Sequence, residues 1–205
     1  MISIIDYGAG NLHSVEKAVR FAGGNPVITA DRDKILASDG IILPGVGSFG
    51  EAMKKLTDSG IDKIVYDACK SGKPFLGICL GMQLLFDSSE ESPGVPGLSV
   101  LKGKILRIPD GGDRKIPHMG WNSLDNTKGA LFEGTGKNPY VYFVHSYYLK
   151  SDDPAIVAAT CDYGVTMDVS VCSGNIFATQ FHPEKSGETG LLMLKNFLKL
   201  SGEVK

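Results

Sequence analysis

Four short apolar runs in the first part of the chain are each followed by a polar or amphipathic stretch, and this alternation constrains the fold more than any other feature. "ISII" (Ile2–Ile5), "PVIT" (Pro26–Thr29), "GIIL" (Gly40–Leu43) and "PFLGI" (Pro74–Ile78) have the length and composition of buried strands. Between the first two, Asn11–Ala22 sets Leu12, Val15, Ala18, Val19 and Ala22 on one face at helical spacing, and Gly23-Gly24 closes the helix. Phe49–Leu56 and Ile61–Lys70 also read as helices. Parallel strands need crossover helices of this kind, so the pattern predicts an α/β fold with an open, mostly parallel central sheet.

The second half differs. "VLKGKILRI", "VYFVHSYYL", "AIVAAT", "VTMDVSV" and "IFATQF" are strand-like, and "CSGN" between the last two predicts a hairpin. This part is expected as an antiparallel elaboration, closed by a helix over Thr189–Leu200. No repeat or linker interrupts the 205 residues, so residues 1–205 are expected to form one domain.

A net charge of −2 offers no broad attraction to nucleic acid or an anionic membrane. No apolar run approaches the roughly 20 residues a membrane span needs. "MISIIDYGAG" lacks a basic signal-peptide region and meets Asp6 early, so a cytoplasmic protein is expected. Cys69, Cys79, Cys161 and Cys172 contain no C-x-x-C, which argues against a zinc site, and no metal or cofactor is expected. A buried thiol is the default state of each.

Cys79 has unusual neighbours. "GICLG" places Gly77 and Gly81 on either side of it, between a strand and an apolar helical segment. A sharp strand-to-helix turn leaves room only for small flanking residues and lifts the sulfur to the carboxyl end of the strand. A helix N-terminus there favours thiolate, and the Leu80 N–H can meet a developing oxyanion. Gln83, one helical turn on, could bind a polar substrate beside the sulfur. Taken alone, the motif fits an inert cysteine in a glycine-rich turn equally well.

A nucleophile needs a base. His13 falls in the first helix pattern, while His118 and His145 lie in "KIPHMGWN" and "YFVHSYY". His182, in "QFHPEKS", immediately follows the last strand. Pro183 disfavours helix at His182, so the tripeptide is expected to be extended, with His182 and Glu184 pointing the same way. The carboxylate can then orient the imidazole, the third role in a Cys–His–acid triad. "LPGVGSFG" (Leu43–Gly50) adds a glycine loop whose N–H groups can turn inward. "DYGAGN" falls short of a dinucleotide fingerprint, because His13 occupies the third glycine position.

Together "PGVGSF", "GICLGMQLLF" and "FHPEKS", in this order between residues 44 and 186, resemble the three signatures of the class I (triad) glutamine amidotransferases. The resemblance implies a flavodoxin-like α/β fold and glutamine as substrate. Cys79 would attack the side-chain amide, His182 would carry the proton, Glu184 would orient it, and a glutamyl thioester would form. Val46, Gly47 and Leu80 would make the oxyanion hole; Gln83, Glu91, Ser146 and Tyr147 would hold glutamine, with Glu90 the alternative to Glu91. "CLGMQLLF", "PHMGWN" and "FVHSYY" narrow the similarity to the branch that delivers ammonia to a (β/α)8-barrel cyclase in histidine biosynthesis. Ammonia released into neutral water becomes ammonium, so it is expected to pass directly to an acceptor site on a second protein.

Asn11, Met119, Trp121 and Lys185 are the expected docking residues, with "HMGW" read as a loop; the competing reading puts Trp121 in the core. The resemblance also implies weak activity when the chain is isolated, because the "PGVG" backbone is switched by the partner's ligand. Three other readings remain: a paralogous glutaminase feeding another synthase such as one making an amidino sugar, a Cys–His peptidase, and a catalytically silent binding protein that keeps the fold. The intact triad argues against the last.

Overall fold

The computed structural model of the chain describes residues 1–111 and 114–204. The early apolar runs form β1 (Ile2–Ile5), β2 (Pro26–Thr29), β3 (Gly40–Leu43) and β4 (Phe75–Ile78). The segments between them form α1 (Leu12–Phe21), α2 (Arg32–Ala37), α3 (Phe49–Ser59) and α4 (Ile61–Lys70). The glycine end to α1 is present: Gly23 takes φ +99°, and the Gly24 N–H donates back to the Val19 carbonyl. Two features have no stripe to announce them. The short α2 buries only Ile35 and is set by Asp31, whose carboxylate accepts the N–H groups of Asp33 and Lys34. The end of α3 runs past Leu56 through polar residues to Gly60 in the left-handed region.

Downstream lie α5 (Leu80–Gln83), β5 (Ser88–Ser89), β6 (Gly103–Arg107), β7 (His118–Ser123), β8 (Tyr140–His145) and β9 (Tyr147–Ser151). They are followed by β10 (Val157–Asp162), β11 (Thr166–Ser173), β12 (Ile176–Thr179) and α6 (Gly187–Leu200). The main sheet runs β2-β1-β3-β4-β12-β11-β9-β6-β5, with β10 on β11. The strands from β2 to β12 are mutually parallel, and β11, β9 and β6 continue antiparallel. The hairpin at "CSGN" therefore joins the two halves of the sheet.

Every residue of β1, β3, β4 and β12 is buried, because both faces of the sheet are covered. Ile2, Ile4, Ile42, Leu76 and Ile78 pack with Val15 and Val19 of α1 and with Leu194, Phe197 and Leu198 of α6. Ile41, Leu43 and Phe75 pack on the opposite side with Leu56, Ile64 and Val65. Each such side chain contributes on the order of 1.5–3 kcal/mol by leaving water, which makes the two-faced covering the main support of the sheet.

The pairing of β12 with β4 positions the site. Thr179 stands opposite Ile78, and the Cys79 N–H donates to the Thr179 carbonyl at 2.7 Å. The segments carrying Cys79 and His182 thus leave neighbouring strands at the same edge, the carboxyl end where open α/β sheets hold their ligands. The expected loop at "HMGW" is instead strand β7, paired with β8 in a separate two-stranded sheet. Trp121 is 55% exposed and Met119 62% exposed, so the core reading of Trp121 is corrected: both stand on the more open face of this small sheet.

Candidate active site

Cys79 sits at the turn between β4 and α5 with φ +54° and ψ −111°. A non-glycine residue held there stores roughly 1–3 kcal/mol of backbone strain. The flanking glycines make the turn possible. A Cβ at Gly77 would lie 3.0 Å from the Gly81 carbonyl oxygen, and one at Gly81 would overlap the Leu43 carbonyl oxygen. The helix after the turn is shorter than its apolar run suggests. At Leu85 and Phe86 the bonding tightens to the Met82 and Gln83 carbonyls, and α5 ends after one turn. The macrodipole expected to support a thiolate is correspondingly small. Burial pushes the Cys69 and Cys161 thiols up to about 12 and raises Cys172 as well, leaving them as packing groups.

His182 is extended as expected, at φ −101° and ψ 97°, but the tripeptide is not. Pro183 opens a 3₁₀ turn over Pro183–Lys185. This turn, rather than the alternation of an extended chain, brings Glu184 Oε1 to 2.7 Å from His182 Nδ1. Both side chains are 2% exposed. With Nδ1 engaged, Nε2 is the nitrogen left towards Cys79, and it has no hydrogen-bond partner of good geometry among the described residues. Burial opposes the imidazolium, but contacts with Cys79 and Glu184 outweigh it and raise the His182 pKa above its ordinary 6.5.

A cavity of about 300 Å³ opens beside the sulfur, lined by Val46, Gly47, Cys79, Leu80, Gln83, Glu91, Ser146, Tyr147, His145 and His182 among others. The predicted oxyanion and substrate residues therefore meet at one place. Gly47 has φ +100°, and the loop carrying it lies against the elbow: a Cβ at Gly45 would come 2.8 Å from the Gly81 nitrogen. Glu91 Oε2 accepts the Phe49 N–H at the start of α3, tying its segment to the glycine loop. Glu90 turns away and accepts the Arg107 N–H. The Gln83 amide donates to the Tyr147 carbonyl and to Gln180 Oε1, so its nitrogen is already committed.

Sequence reasoning missed three groups. Gln180 Nε2 lies 3.7 Å from the Cys79 sulfur, reached because β12 pairs with β4. The Tyr7 hydroxyl is buried beside Gly45 with no hydrogen-bond partner among the described residues; burial, reinforced by the Cys79 charge, raises its pKa. Its only signal was the glycine loop "DYGAGN". The third is a pair of histidines, His118 and His145, 3.0 Å apart and 27 residues distant in sequence.

Burial lowers His118 to about 4 and His145 to about 3, so both are neutral near pH 7. The unfolded chain takes up protons near 6.5 while the folded chain refuses them, so stability present above pH 6.5 is lost as pH falls towards the folded values. Urea unfolding between pH 7 and 4 is expected to show this decline, and His118→Phe should flatten it.

The family model for glutamine amidotransferase class-I matches residues 3–200. The imidazole glycerol phosphate synthase subunit HisH of Methanothermobacter thermautotrophicus is 50% identical over 201 residues, covering 98% of each chain. The HisH subunit of Bacillus cereus strain G9842 is 49% identical over 198 residues, 96% of this chain and 93% of that one. Among solved structures, one described as a glutamine amidotransferase matches with a TM-score of 0.76 at 21% identity, covering 98% of both chains. The structure of PurLQS from Thermotoga maritima matches at a TM-score of 0.75 and 21% identity, over 97% of both chains. At these identities the two structures establish likeness of fold.

Proposed function

The chain belongs to the class-I glutamine amidotransferase family, and from that premise we propose that it is the glutaminase subunit of an imidazole glycerol phosphate synthase, acting in the cytoplasm as one domain over residues 1–205. The observation that carries this reading is the meeting of Cys79 with the His182–Glu184 pair at one cavity beside Gln83, Glu91, Ser146 and Tyr147. Relatives of about half-identical sequence bear that synthase subunit's name over nearly their whole length.

In the proposed reaction His182 takes the Cys79 thiol proton as Sγ attacks the side-chain carbonyl carbon of glutamine. N–H groups from Val46–Gly47 and Leu80 hold the developing oxyanion. His182 delivers a proton to the departing nitrogen, the C–N bond breaks, and ammonia leaves behind a glutamyl thioester. Water, deprotonated by His182, then attacks the thioester, the C–S bond breaks to release glutamate, and His182 returns the proton to Sγ. Glu184 keeps the imidazole in the required tautomer throughout. The glutamine α-ammonium and α-carboxylate would be met by Glu91 and by groups of Ser146 and Tyr147, with the Gln83 side chain closing the pocket.

Neutral ammonia is a small fraction of the total at pH 7, so direct transfer to an acceptor favours a bound partner. We assign that role to a (β/α)8-barrel cyclase, forming a heterodimer through the face that carries Asn11, Met119, Trp121 and Lys185. All four are exposed, and Trp121 approaches Gly187 beside the turn that holds Lys185 and Glu184. Exposed Trp and Met on a bare strand suit an interface core. Trp121→Ala is expected to weaken association at least about tenfold, measured by titration calorimetry against the cyclase. The function itself is tested by glutamine turnover with and without that cyclase: a rate that rises with the partner supports it, and peptide cleavage without glutamine turnover would replace it with the peptidase reading.

A further inference from the structure

Two buried histidines outside the triad form a continuous polar chain that ends at the glutamine pocket. His145 is the last residue of β8, and its Nδ1 lies 2.9 Å from the Tyr147 carbonyl oxygen. A carbonyl only accepts, so Nδ1 carries the hydrogen and His145 Nε2 is left as an acceptor. His118 Nδ1 lies 3.0 Å from that Nε2 and must donate to it. His118 Nε2 is then an acceptor in turn, with Asn122 Nδ2 at 3.4 Å. The tautomers assigned in this way satisfy every ring nitrogen, at 3% and 6% exposure for the two residues. His118 is held flat between Phe143, at a centroid distance of 4.7 Å, and Tyr163 at 4.0 Å.

The Tyr147 carbonyl at the end of the chain also accepts the Gln83 amide at 3.0 Å, so one oxygen joins the histidine pair to a side chain of the pocket. Ser146 lies between His145 and Tyr147, and its own carbonyl is fixed by the Ile108 N–H. The bend from β8 to β9 is therefore pinned by Ile108 on one side and by the imidazole chain on the other. At its far end the chain begins on β7, the strand whose next residue is exposed Met119 and which carries Trp121.

We propose that His118 and His145 are positioning residues, a neutral imidazole relay that holds the Ser146–Tyr147 wall and Gln83 in the geometry needed to bind glutamine. Their ring nitrogens are taken up by each other, by Asn122 and by the Tyr147 carbonyl rather than by Cys79. The proposal rests on the glutaminase reading of the pocket. Its effect falls on the binding of substrate, because the wall contacts the non-reacting end of glutamine in both ground and transition states.

The test uses the full chain with its cyclase partner and measures KM for glutamine and kcat separately, together with the rate of Cys79 alkylation by iodoacetamide. His118→Phe keeps the stack between Phe143 and Tyr163 but removes the donor to His145; it is expected to raise KM about fivefold, the scale of one buried hydrogen bond, with kcat within about twofold. His145→Phe should raise KM more than about tenfold. His145→Asn, whose amide nitrogen can occupy the Nδ1 position, should recover most of that loss. In the His145→Phe background, adding His118→Phe should change nothing further, since the chain is already cut. Additive losses in the double variant, or a fall in kcat at unchanged KM, would overturn the relay. Wild-type protein that neither turns over glutamine nor is protected by it from iodoacetamide would instead overturn the glutaminase reading on which the relay depends.

Discussion

Cys79→Ala is expected to reduce glutamine-dependent product formation by about 10⁴-fold or more, the usual consequence of deleting a nucleophile from a triad. Synthesis by the partner from added ammonium salt should continue at the wild-type rate, because the acceptor chemistry lies elsewhere. Glutamine should still bind, since Gln83, Glu91, Ser146 and Tyr147 line the cavity independently of the sulfur. His182 should respond as well. Its pKa is lowered by burial but raised overall by Cys79 and Glu184, so removing the sulfur is expected to bring it down, as followed by NMR titration of the ring. The sign in stability follows. The wild-type imidazolium contributes stability that is complete below pH 6.5 and lost as pH climbs through the raised value, and the alanine variant should show less of that alkaline decline. A variant that retains glutamine turnover would remove Cys79 from the mechanism.

The second large effect concerns the turn that presents the sulfur. At Gly81 an added Cβ would overlap backbone, the Leu43 carbonyl, which cannot rotate aside as a side chain could. Gly81→Ala is therefore expected to cost more than about 3 kcal/mol, or to yield no folded protein. Gly77→Ala meets the Gly81 carbonyl and Met82 Cα at 3.0–3.1 Å and should be intermediate. Gly47→Ala meets nothing within 4 Å, and its cost is the strain of φ +100°, about 1–2 kcal/mol. Urea unfolding of the three variants should give that ranking. Wild-type stability in Gly81→Ala would contradict the close approach of the elbow to β3 on which the site is built.

The histidine–proline–glutamate tripeptide suggested the His182–Glu184 pair through an extended chain, whereas the structure makes it through a 3₁₀ turn. The glycine–cysteine spacing could be read from the sequence because it is a local steric demand. The strands and helices of the first half were legible for a similar reason: burial on both faces leaves continuous apolar runs, and one-sided burial leaves a stripe. What was not legible depends on pairing across long stretches of chain. Nothing in "IFATQF" says that it inserts beside "PFLGI", yet that pairing carries Gln180 to the sulfur and His182 to the same cavity. Likewise "HMGW" reads as a loop until β8 is seen to pair with it, and His118 and His145 look unrelated until that register sets them opposite each other. The one-turn α5 was overestimated because fully buried Leu84, Leu85 and Phe86 satisfy a helical pattern while serving a tighter bend.

The central claim is that glutamine becomes covalently attached to Cys79 before water releases it. Rapid acid quench of the enzyme with its cyclase partner and saturating glutamine, followed by mass spectrometry of the peptide containing Cys79, measures this directly. The account predicts a glutamyl adduct on that peptide during turnover, absent in Cys79→Ala and accumulating when the water-attack step is slowed. Glutamate released at full rate with the Cys79 peptide never modified would contradict it.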